Sequence, residues 1–89
     1  MRNEYEIDNL SAEIFRIALR KMEAGANADE RKRAAENLKK IKKLSKNVSE
    51  ENVQYAKKII SECTVEVNYI CGKSENMSLR MADHLRYFK

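Results

Sequence analysis

Residues 53–70 read VQYAKKIISECTVEVNYI. Within them Val53, Ala56, Ile60, Cys63, Val67 and Ile70 recur with alternating steps of three and four. That spacing puts side chains on one face of an α-helix and packs them as a coiled-coil-like seam. The second half, Thr64-Val65-Glu66-Val67-Asn68-Tyr69, also alternates and is rich in β-branched residues, as a short strand would be. No partner strand is evident in the rest of the chain, and an unpaired strand leaves its backbone N–H and C=O groups unsatisfied. The reading is therefore helix, stopped by Gly72. Upstream, Ser49 stands as an N-cap, with Val48 and Val53 placed as the two halves of a hydrophobic staple. A long third helix is expected over residues 50–71.

The rest of the chain reads the same way. Ile7, Leu10, Ile14, Ile17 and Ala18 form a helical stripe over residues 7–23, widened by Phe15, Leu19 and Met22 and ended by Gly25. Asn27 followed three residues later by Glu30 has the form of a capping box, opening a helix over 28–45 whose apolar face is Ala34, Leu38, Ile41 and Leu44. Ser74 and Glu75 mark the start of a last helix over 75–88, with Met77, Met81, Leu85 and Phe88 as its inward stripe and His84 at the edge of that stripe. The chain has no proline and only two glycines, Gly25 and Gly72, so it lacks the turn chemistry of β-rich folds. Its 89 residues suit one domain, 1–89, because two cores of that size would each be too small to bury enough surface. The expected fold is all-α, a small four-helix bundle. The surplus apolar length of its third helix would be covered by a second copy, making a homo-oligomer.

Several classes of function are excluded or disfavoured. No apolar run reaches the roughly 18 residues of a membrane span, and the start Met1-Arg2-Asn3-Glu4-Tyr5-Glu6 lacks the order of a secretory signal, so a cytoplasmic location is expected. Cys63 and Cys71 on one helix lie about 12 Å apart, too far to bridge, and read as reduced thiols. With His84 they are the only soft ligands, at spacings no structural zinc site uses, so neither metal nor cofactor is expected. Glu62 and Glu66, one turn apart, are expected to face water or Lys58. No glycine-rich phosphate loop is present, and the chain does not read as an enzyme.

The clearest functional signal is charge. Between Glu30 and Lys46 the sequence carries eight basic residues and two acidic ones. Lys32, Arg33, Lys39, Lys40, Lys43 and Lys46 form a candidate surface for an anionic partner. That helix has no aromatic residue to stack on bases, and its arginines, Arg31 and Arg33, sit near its start, so phosphate contact is expected rather than sequence readout. A membrane-surface role is disfavoured because its apolar face lacks Trp and Phe. The turn from Leu44 to Val53 superficially fits a helix-turn-helix, but the positions such a motif buries fall on Lys42, Lys43 and Lys46. The expected function is a non-enzymatic protein-interaction role, such as the small inhibitors and adaptors that bacteria and their phages encode. Phe15, Leu19, Met22, Tyr55, Ile59 and Tyr69 are its candidate protein interface, and nucleic-acid binding through the lysine-rich helix is the alternative.

Overall fold

Both glycines sit where the chain leaves a helix with positive φ, +84° at Gly25 and +75° at Gly72, a region open to glycine at little steric cost. At the first, the Gly25 N–H reaches back to the Lys21 carbonyl; at the second, Gly72 and Lys73 donate to the carbonyls of Tyr69 and Asn68 in a Schellman pair. In the computed structural model, which describes residues 2–87, these stops separate four helices: α1 (Arg2–Ala24), α2 (Ala28–Leu44), α3 (Val53–Ile70) and α4 (Leu79–Tyr87). Two 3-10 turns, Ser45–Asn47 and Glu50–Asn52, join α2 to α3. Among the described residues there is no strand, and Thr64–Tyr69 is helical. The Asn27–Glu30 capping box forms as the sequence predicts, at 2.8 and 3.1 Å.

The core is the meeting of the predicted stripes. Ile7, Ile14, Ile17 and Ala18 of α1 pack with Ala34 and Ile41 of α2, with Ile59, Cys63, Val67 and Ile70 of α3, and with Met81 of α4. Leu10, Glu13 and Arg20 of α1 bond to α2, whereas Ser11 and Phe15 meet α4. These two sets point to different sides of a helix with 3.6 residues per turn, so α2 and α4 flank α1 on different sides.

Several expectations about the helices need correction. The third helix, with 18 residues, exceeds its neighbours α2 (17) and α4 (9), but α1 is longer at 23. The third helix begins at Val53 rather than 50, because Ser49 closes a 3-10 turn with Asn52 and its hydroxyl accepts from the Asn52 amide side chain instead of capping a backbone N–H. Its buried face is also turned from the expected seam, so that Ile59 is buried, Ile60 is half-buried, and Glu62 and Glu66 come inside. Ala56, Ile59, Cys63, Val67 and Ile70 of α3 are covered within the chain, whereas Val53, Ile60, Val65 and Tyr69 are half-buried and Tyr55 is exposed. Finally, α4 starts at Leu79 because Ser78, not Ser74, caps it. The Ser78 hydroxyl accepts from the Met81 N–H and its carbonyl from the Ala82 N–H. Met77 consequently precedes the helix and is 46% exposed, while Phe88 lies outside the described residues. No helix among the described residues is long and apolar enough to cross a membrane.

Candidate functional site

A carboxylate buried in a helical core needs charged or hydrogen-bonded partners, and Glu66 has a full set. It is 0% exposed. The Arg80 guanidinium grips both of its oxygens at 2.6 Å, and the Ser78 hydroxyl donates to one of them at 2.6 Å. Arg80 also donates to the hydroxyl and carbonyl of Ser11 at 2.9 and 3.1 Å, approaches Cys63 Sγ at 3.4 Å, and lies 4.9 Å above the Phe15 ring. Burial alone would lower the Arg80 pKa, but the hydrogen bonds and charge of Glu66 outweigh it and hold it above the ordinary value. Beside it, Glu62 accepts the Leu79 N–H at 2.9 Å, at the positive end of α4. The two carboxylates expected to face water are therefore inside, fastening α4 to α1 and α3. With both oxygens of Glu66 taken by donors, this cluster is built as a latch.

The latch shapes a groove between α3 and α4, lined by Tyr55, Lys58, Ile59, Glu62, Leu79, Arg80 and Asp83. Leu79 is 75% exposed and Tyr55 45% exposed, with the edge of Ile59, itself 8% exposed, between them. The Tyr55 hydroxyl donates to Asp8 at 2.7 Å, which steers its ring and, with burial, raises its pKa. Leu79, Asp83 and Tyr87, four residues apart on α4, all face outward. Of the six predicted interface residues, the fold brings only Tyr55 and Ile59 together in this groove. Phe15 is half-buried under Arg80 and edge-on to His84, with ring centroids 5.8 Å apart. Leu19 and Met22 are half-buried further along α1. Tyr69 is held by Lys21, whose ammonium lies 4.5 Å from its ring and donates to its carbonyl. The Lys21–Tyr69 contact is thirteen residues along α1 from the Asp8–Tyr55 contact, about 20 Å at the rise of a helix, so the six residues do not make one surface.

The predicted basic residues are gathered on one face. Lys32, Arg33, Lys39, Lys40, Lys43 and Lys46 are all exposed. Glu30 has turned inward and meets Arg20 at 2.8 Å, and Arg33 is tied to Glu13 at 3.4 Å. Asn37, buried on the opposite edge, donates to Glu13 at 2.6 Å and fixes α2 against α1.

Among the described residues no three His, Cys, Asp or Glu side chains converge as a metal site requires. Cys63 and Cys71 are free thiols, and burial pushes the Cys63 pKa up to about 11. Sequence reading missed Glu66, Ser78, Leu79 and Arg80. A signal for Glu66 was present: it stands three residues after Cys63 and four before Ile70, inside an apolar arc where a carboxylate requires a cation. No family model matches this chain, and no curated protein or solved structure matches it.

Proposed function

We propose that this protein is a non-enzymatic interaction protein, an inhibitor or adaptor, whose contact face for a protein partner is the α3/α4 groove. The observation that carries the reading is the exposure of Leu79 and Tyr55 on the two walls of a groove whose Glu62 and Arg80 are already engaged in the latch beneath. A large aliphatic and an aromatic side chain around a partly sheltered isoleucine are the anchor types that dominate protein interfaces. Tyr87, 79% exposed, extends the same outer face of α4. Two sides of one short helix thus serve different ends, Met81 holding it to the core and Leu79 facing outward.

The test is a native-level pull-down with quantitative comparison of variants, followed by measured affinity for any stoichiometric partner. Leu79→Asp and Tyr55→Ala should each lower the affinity at least tenfold. Asp is tolerated at the first position of a helix, so Leu79→Asp should leave the fold intact. The triple change of Lys39, Lys40 and Lys43 to Gln should leave this affinity unchanged. A partner that proves to be a second copy of the chain would make this face the homo-oligomer contact. A partner held equally well by wild type and Leu79→Asp would overturn the assignment of the face.

A further inference from the structure

The exposed face of the segment from Glu30 to Lys46, beyond the exposed Asp29 of the first turn of α2, is more one-sided than its composition. Of the two acidic residues between Glu30 and Lys46, Glu30 is buried in its cap and paired with Arg20, which leaves Glu36 as the single exposed carboxylate of the segment. Arg31 and Arg33 are engaged within the chain, on the Ala26 carbonyl at 2.6 Å and on Glu13 at 3.4 Å. The six lysines, Lys32, Lys39, Lys40, Lys42, Lys43 and Lys46, are exposed, and none forms an ion pair with a described carboxylate. Lys32, Lys39 and Lys43 follow steps of seven and four, which keeps them in one row about 16 Å long at helical rise, with Lys40 beside the row and Lys46 in the 3-10 turn that follows α2. Glu30 is drawn into the helix cap, so Glu36 is the one exposed carboxylate left among these six lysines.

We infer that this row is a second binding surface, independent of the groove, that takes the phosphate backbone of duplex nucleic acid without reading its sequence. Three features select that ligand. Free lysine ammonium groups are point charges that suit phosphate oxygens, whereas the two guanidinium groups of α2, the forks that read guanine edges bidentately, stand near the helix start and each has one nitrogen engaged within the chain. The face carries no aromatic residue, so it offers no platform for the bases of a single strand. Its row is straight, like the rigid, densely charged backbone of a duplex. Because α2 and α4 flank α1 on different sides, phosphate contact on α2 leaves the α3/α4 groove open, and one molecule can join a nucleic acid to a protein.

The test is fluorescence anisotropy with labelled 20-base-pair duplexes of unrelated sequence and a matching single strand, titrated between 50 and 200 mM salt. Wild type should bind the duplexes alike, within about twofold, and more tightly than the single strand. Four or five phosphate contacts give a slope of log affinity on log salt near −4, and replacing Lys39, Lys40 and Lys43 with Gln should flatten it by about 3. Single changes at the same positions should each flatten it by about 1, which keeps the test open if the triple variant misfolds. Leu79→Asp should bind duplex as wild type does, so failure of the groove and failure of this surface are read separately. No binding at 50 mM salt, a slope unchanged by the lysine variants, tighter binding to the single strand, or displacement of duplex by an equal charge of polyglutamate would each overturn the inference.

Discussion

Arg80→Ala should destabilise the protein by about 3–5 kcal/mol, the usual consequence of stranding one member of a buried ion pair. The structure supports the upper part of that range. Glu66 is fully buried and would keep only the Ser78 hydroxyl, while Ser11 would lose its donor and Phe15 the cation above its ring. In a domain of this size each kcal/mol shifts Tm by about 4–8 °C, so a fall of roughly 12–40 °C is expected. Because Arg80 acts chiefly through α4, amide exchange should rise first over Leu79–Tyr87, with α1, α2 and the centre of α3 following only at global unfolding. The double variant Glu66→Leu with Arg80→Met should recover most of the loss, since an apolar pair of similar volume can replace a buried ion pair. Circular dichroism melts and hydrogen exchange by mass spectrometry read both effects. A loss under about 1 kcal/mol, or α4 amides exchanging at the wild-type rate in Arg80→Ala, would refute the latch.

Cys63, buried and with its pKa pushed up to about 11, should react with thiol reagents far more slowly than half-buried Cys71 until the protein unfolds; equal native rates would contradict the packing of α3. The same shift makes stability depend on alkaline pH. The buried thiol resists ionisation while the unfolded one ionises near its ordinary value of 9.0. Its contribution is therefore complete below pH 9 and is lost as pH rises through 11, a swing of about 2–3 kcal/mol that Cys63→Ala should remove. Asn27→Ala should cost about 1 kcal/mol by removing the capping box of α2, measured by urea denaturation. Gly72→Ala, with no steric obstacle near its Cβ but a φ of +75°, should cost about 1–2 kcal/mol for the left-handed backbone alone.

The helices were legible where apolar spacing and caps agreed. The Asn27–Glu30 box and the two glycine stops follow from a few residues each, because their partners lie within one turn. The stripes of α1 and α2 needed only periodicity. The turn of α3 about its axis was not legible, because Ile59 and Ile60 are equally apolar and only the position of α4 decides which is covered. The start of α4 was ambiguous for a similar reason: Ser74 and Ser78 are both competent caps, and the bond from Ser78 to Glu66 twelve residues earlier selects the second. The latch depends on pairs such as Arg80 with Ser11, sixty-nine residues apart, which no local pattern records. The lysine face was the part of the candidate surfaces most visible in sequence, since charge needs no partner to be read. The groove was half visible, in Tyr55 and Ile59, while Leu79 was hidden by a helix start placed four residues too early.

The most direct test of the interaction reading is site-specific photo-cross-linking in the native cell, with the reactive side chain introduced at Leu79 and, as a control, at exposed Glu23 on the far end of α1. The groove assignment predicts a discrete protein adduct from position 79, absent from position 23 and lost when Tyr55→Ala is added. Adducts of the same pattern and yield from both positions, or none from position 79, would contradict it.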